Sequence, residues 1–202
     1  MPTRKIMSVV LIAVVATATV TYWNTGDAPA QFGGQGFGFD GGGTGDGGLK
    51  SSSLIIQPMQ GGDSNAWVAF GVRSGTWKRH TFPRAHTVLP TMSAEVCAFA
   101  IQGDQIQQLV AVDRNGNWRT HALSEPTDSP CIPSVSASIA CYSIDGHVFA
   151  FSALTGTWDS IPGTGAVVSA TYAVVQDETR IAAFSAHTGR WSVANLVVGE
   201  NQ

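Results

Sequence analysis

From Leu49 onward the apolar residues fall in short alternating or continuous runs broken by turn-forming residues, and no window sustains a 3.6-residue apolar period. That pattern predicts strands and turns. One phrase recurs four times: an apolar strand end, a turn closing on Gly, one variable residue, then Trp. Its copies are Phe70-Gly71-Val72-Arg73-Ser74-Gly75-Thr76-Trp77, Val112-Asp113-Arg114-Asn115-Gly116-Asn117-Trp118, Phe151-Ser152-Ala153-Leu154-Thr155-Gly156-Thr157-Trp158 and Phe184-Ser185-Ala186-His187-Thr188-Gly189-Arg190-Trp191. Each copy reads as a hairpin.

Around these hairpins the chain divides into four units, about 50–84, 85–125, 126–163 and 164–202. The second shows the plan in full, with strands at 87–92, 96–101, 109–112 and 118–123 and a Gly103-Asp104 turn. The third repeats it at 132–135, 138–144, 147–151 and 158–161, and the fourth at 166–168, 170–175, 180–184 and 191–198. The first offers three strands, 54–56, 67–70 and 77–82, preceded by polar Ser51-Ser52-Ser53. Leu196-Val197-Val198 is the candidate for its missing strand.

The Gly of each phrase is expected in the left-handed region, at the end of a type I turn with a bulge, where a Cβ would be penalised. Ser74, Asn115, Thr155 and Thr188 stand just before it as candidate caps. The Trp then opens the last strand of its unit as a plate over the seam between sheets, with its N–H seeking a partner. Trp separations of 41, 40 and 33 residues lie near the periods of propeller blades, about 40–50 residues. The expected fold is all-β: a small β-propeller or propeller-like array of four repeats of three to four antiparallel strands.

The phrase resembles the kelch repeat, whose blades carry Asp-x-x-Thr-x-x-Trp between the third and fourth strands. Ser152 to Trp158 and Ser185 to Trp191 keep that spacing with Ser in the Asp place, while Asp113 stands one residue too close to Trp118. No Gly-Gly pair follows Ile101, Ile144 or Val175, so the likeness is to a degenerate kelch-like propeller repeat over about residues 53–198. The hairpin is also similar to the Asp-box of sialidase propellers through Ser152, Gly156 and Trp158. A further similarity, carried by Ala150 to Gly156, is to the repeats of quinoprotein propellers.

Composition fits this picture: 44% of residues are hydrophobic and 12% charged, and 202 residues bury a sizeable core. A net charge of -3 argues against nucleic acid as a partner. Residues 49–84 nevertheless hold Lys50, Arg73, Lys78, Arg79 and Arg84 against Asp63, which leaves the first unit basic. Cys97, Cys131 and Cys141 show no C-x-x-C spacing; Cys97 and Cys141 read as small core residues, and export would open the option of a Cys131–Cys141 bridge.

At the N-terminus Arg4 and Lys5 precede an uncharged run of 18 residues, Ile6 to Trp23, about 27 Å long as a helix. Residues 1–23 are expected to be an N-terminal signal anchor with a cytoplasmic N-terminus, or a signal peptide cut after a small-x-small site; either places the rest outside the cytoplasm. Ten of the sixteen residues from Gly33 to Gly48 are Gly, so residues 24–48 are expected to form a disordered tether ahead of a β-repeat domain at 49–202.

Chemistry is harder to find. His80 and His121 both lie three residues after a motif Trp, a coincidence that repetition itself explains; His86, His147 and His187 stand singly. Asp104, Asp113, Asp145, Asp159, Asp177 and Glu178 fall mostly in turns, where Asp is favoured for backbone reasons. No catalytic, cofactor-binding or metal-ligating residue is singled out, and no cofactor is expected. The sequence points to a membrane-tethered, non-catalytic binding module for a protein or a glycan. Two alternatives stand beside it: a glycan-active propeller enzyme, hydrolase or lyase, and a structural repeat protein that self-associates through open sheet edges.

Overall fold

A computed structural model describes residues 53–59 and 65–196. The expected leader, the Gly-rich tether, Ser51, Ser52, Val197 and Val198 lie outside the described residues. Those described contain no helix, and their strands form four antiparallel sheets that follow the four units. The first sheet has three strands, β1 (Leu54–Pro58), β2 (Ala66–Gly71) and β3 (Thr76–Thr81). The second has four, β4 (Thr87–Met92), β5 (Cys97–Gln102), β6 (Ile106–Val112) and β7 (Trp118–Thr127). The third contains β8 (Pro133–Ser136), β9 (Ile139–Ile144), β10 (His147–Ser152) and β11 (Thr157–Pro162), and the fourth β12 (Val167–Val168), β13 (Tyr172–Gln176), β14 (Arg180–Ser185) and β15 (Arg190–Asn195). Every sheet is a meander of consecutive strands. Leu196 does not join the first unit: its N–H donates to the Thr179 carbonyl at 2.8 Å, within the fourth.

All four motif glycines take the left-handed conformation, with φ of 63° at Gly75, 77° at Gly116, 70° at Gly156 and 66° at Gly189. The expected type I turn with a bulge is formed in the second unit, and the other three hairpins close over a longer loop. In the first, third and fourth units the strands pair as Gly71–Thr76, Ser152–Thr157 and Ser185–Arg190, leaving a four-residue loop. There the Gly N–H reaches back four residues, to the carbonyl of Gly71, Ser152 or Ser185. In the second unit Gly116 N–H reaches back three, to the Asp113 carbonyl, and Asp113 N–H donates to the Asn117 carbonyl, which closes a three-residue loop. Capping comes chiefly from the residue that opens the loop. Ser152 Oγ accepts the N–H of Leu154 and of Thr155, Ser185 Oγ that of His187, and Asp113 Oδ1 those of Asn115 and Asn117. Of the expected caps, Ser74 accepts the Thr76 N–H, whereas Thr155 Oγ1 meets the Thr157 hydroxyl at 2.6 Å.

The sheets pack face against face in chain order. One core cluster joins the first three units and contains Leu54, Ala69, Phe82, Phe99, Val110, Tyr142 and Phe151; a second joins the third and fourth through Ile139, Val148, Ala150, Ala173, Val175 and Phe184. At every seam the motif pair of a unit, Val112–Trp118, Phe151–Trp158 or Phe184–Trp191, faces the preceding unit. The preceding unit presents its back face, centred on an Ala one residue before its own motif Phe or Val: Ala69, Ala111 and Ala150 are all fully buried. A small side chain is what lets a large ring lie flat on the next sheet.

Backbone bonds run across the same seams. Ser53 N–H, just ahead of β1, donates to the Ala94 carbonyl, Glu95 N–H to that of Ala137, and Ser138 N–H to that of Ala170, so the turns between the first and second strands of consecutive four-stranded sheets are tied in series. The hairpin tips also touch. A Cβ on Gly116 would lie 2.5 Å from the Gly71 nitrogen, one on Gly71 would strike the backbone of Asn115, and one on Gly189 would strike the Thr157 hydroxyl.

Cys97, Cys131 and Cys141 are buried free thiols, so the Cys131–Cys141 bridge is not formed. Cys141 sits within β9, while Cys131 bridges Ile101 of the second unit. Burial pushes the Cys131 thiol up to about 11 and the Cys141 thiol to about 12, which keeps both protonated and unreactive.

Candidate functional site

The two histidines that follow a motif Trp do not form a common site. Each receives the Trp of the next unit at its own seam: His80 stacks on Trp118 with ring centroids 5.0 Å apart, and His121 meets Trp158 at 5.7 Å and Phe149 at 5.2 Å. In the third unit the same position is Ile161, buried against the fourth, so the role is seam packing. Burial lowers the basicity of both rings; at His121 the Asp159 charge opposes that shift. The sign follows by linkage. The unfolded chain takes up protons near pH 6.5 that the folded seam resists, so stability present at neutral pH is lost as pH falls through that value. Thermal midpoints measured at pH 7.5 and pH 5 should therefore differ, and His80→Phe should narrow the gap.

The acidic residues are occupied by backbone and neighbours. Asp113 is buried, and its Oδ2 accepts from Asn117 Nδ2 at 2.9 Å and from Arg119 Nε at 3.3 Å. Asp159 Oδ2 accepts the backbone N–H of Trp191 across the third seam at 2.8 Å. Asp177 caps its turn through Thr179 N and Arg180 N, and these bonds with the Arg180 side chain hold its carboxyl below the usual range. Asp145, with φ of 48°, holds a left-handed turn position beside Gly146. Among the described residues no group of three His, Cys, Asp or Glu side chains forms a metal-binding set.

A cleft of about 410 Å³ lies where the first unit hands over to the second. Its apolar lining comes from Phe82, Pro83, Ile101 and Ala122, and its polar groups are His86, Gln105, Gln107 and Gln108. The volume is in the range that accepts a small ligand, about 300–1,000 Å³. Three backbone irregularities converge on it. Gln105 is a non-glycine residue at φ of 54°, Gly103 stands at φ of 148°, and the β6–β7 register breaks between Ile106 and Gln108. Across that break Ile106 opposes Thr127 but Gln108 opposes Ala122, so the outer strand bulges beside the cleft. Bulges re-aim side chains and recur beside functional sites.

Side chains hold this shape from both sides. Asp128 Oδ1 accepts the Gln105 N–H at 2.7 Å, which fixes the left-handed residue. Asn65 Nδ2 donates to the carbonyls of Pro83 and His86, and the His86 ring meets the Asp104 carbonyl through Nε2 at 3.0 Å. A Cβ on Gly103 would lie 2.8 Å from the His86 ring, so the glycine makes room for it. The site was not visible in the sequence as chemistry. The only trace is the cluster of Gln105, Gln107 and Gln108 following Gly103-Asp104.

No family model and no curated protein matches the chain. Among solved structures it is similar to Kluyveromyces lactis Hsv2, at 11% identity over 71% of this chain and 48% of that one with a TM-score of 0.31. It is also similar to the structure of U3-55K, at 12% identity over 71% of this chain and 61% of that one with a TM-score of 0.22. The chain therefore spans about half of the first and three-fifths of the second. Its own geometry is an all-β, propeller-like array of four antiparallel sheets.

Proposed function

We propose that this protein is a non-catalytic binding module whose ligand enters the cleft between the first and second units. The observation that carries the reading is the convergence of a left-handed Gln105, a Gly103 packed tightly against His86 and a broken β6–β7 register on one amide-lined cleft. Of these, the non-glycine left-handed Gln105 carries backbone strain of about 1–3 kcal/mol, a cost that clusters at functional sites. Three carboxamides and an imidazole offer paired donors and acceptors without net charge, over an apolar floor. That combination suits a neutral polyhydroxy chain, and a glycan is the ligand class we favour over a peptide. The repeat belongs, on this reading, with degenerate kelch-like propellers. Arg4, Lys5 and the apolar run 6–23, followed by the Gly-rich segment, support an extracytoplasmic domain tethered to a membrane.

A glycan array probed with the full chain tests this. Capture of one glycan class is expected, with affinity falling at least about tenfold in Gln107→Ala/Gln108→Ala, the scale of a lost hydrogen-bond pair. Turnover of the captured glycan would replace the reading by an enzyme, and capture unchanged in the double variant would remove the cleft from it.

A further inference from the structure

The three internal seams share one construction, and both ends of the array keep the parts for it. At the leading end, Ile55, Phe70 and Trp77 occupy the row filled by Ala140, Phe151 and Trp158 in the third unit and by Ala173, Phe184 and Trp191 in the fourth. In those units the Ala and Phe are fully buried, whereas Trp77 is 53% and Ile55 43% exposed. At the trailing end, Ala183 holds the place of the buried Ala69, Ala111 and Ala150, yet it is exposed. Beside it Tyr172, which corresponds to buried Leu54 and Ile139 as the partner of the hairpin's opening residue, is 51% exposed, and Val167 is 75% exposed.

A seam needs a Trp-bearing front and an Ala-centred back, and among the described residues one copy of each is left unpaired. Hydrophobic burial favours covering both, and the two surfaces are already complementary because the molecule joins them three times within itself. We propose that the chain pairs head to tail with a second copy of itself, the Trp77 face of one copy seating on the Ala183 face of the other. This is a heterologous contact between faces, distinct from edge-to-edge strand pairing, and it generates a ring where the rotation closes.

Sedimentation velocity of the full chain, in a mild detergent that shields the apolar run 6–23, provides the test. The wild type is expected at twice the chain mass or a multiple of it. Trp77→Glu and Tyr172→Asp should each weaken association about thirtyfold, the scale of a lost interface hot spot. Mixing the two variants should restore a dimer, because one copy retains an intact front and the other an intact back. An isologous contact, or association through the leader, would not be rescued in this way. Should either variant lose its far-ultraviolet strand signal, Ile55→Asp and Val167→Asp, at positions already exposed, take its place. A wild type that is monomeric at the highest soluble concentration, association insensitive to both single variants, or a mixture that stays monomeric would each overturn the proposal.

Discussion

Gly116→Ala is expected to cost about 3–4 kcal/mol, while Gly75→Ala, the same change in the same motif, costs about 1. Both residues are left-handed, so both substitutions carry the backbone penalty of about 1–2 kcal/mol. They differ in their surroundings. Nothing lies within 4 Å of a Cβ built at Gly75, whereas one at Gly116 meets the Gly71 nitrogen at 2.5 Å and its Cα at 3.0 Å. Those neighbours are main chain of the preceding hairpin, so relief requires the first two units to part, adding an overpacking cost of about 1–3 kcal/mol. Urea unfolding of the two variants under one set of conditions reads the difference. Equal losses would mean that the tips do not touch in solution.

Tyr142→Phe is expected to remove about 2–4 kcal/mol. Tyr142 is fully buried in β9, and its hydroxyl enters the neighbouring sheet at the point where the β5–β6 ladder stops after Cys97–Val112 and Ala98–Ala111. There it accepts the Phe99 N–H at 3.1 Å and donates its hydrogen to the Phe99 carbonyl at 2.9 Å, with the Val110 carbonyl also in reach at 3.1 Å. A side chain of the third unit thus replaces missing strand-to-strand bonds of the second. Burial pushes the phenol well above its usual range, which keeps the donor protonated. The Phe variant fills nearly the same space but strands a buried N–H and carbonyls, at about 1–3 kcal/mol for each unsatisfied group. For a body of this size the melting temperature should fall by about 10 °C. A shift below about 2 °C would show that these groups find other partners.

Much of the scaffold was legible in the sequence because each hairpin is specified locally. Period-two patterning placed every strand of the second to fourth units within a few residues, and the left-handed place of each motif Gly followed from turn chemistry alone. The closure of the turn was legible in the second unit but not in the other three, because three- and four-residue loops tolerate the same residues. The seams were half legible. Trp was expected over them, but its N–H finds a partner only at Trp118, which donates to the Lys78 carbonyl at 3.0 Å; those of Trp158 and Trp191 are buried without a protein partner. The recurring Ala69, Ala111, Ala150 and Ala183 were a signal available in the alignment of the repeats with one another. The cleft was not readable, since it depends on a register break and on residues from two units meeting across a connection.

The serial ties from one unit to the next, Ser53 to Ala94, Glu95 to Ala137 and Ser138 to Ala170, make the described body behave as a short one-dimensional lattice. A defect in the second or third unit loosens two junctions at once, but one in the fourth loosens a single junction. Opening should then travel inward from the ends, and the amide protons of β15 should exchange before those of β9, whatever the intrinsic strand propensities of the two.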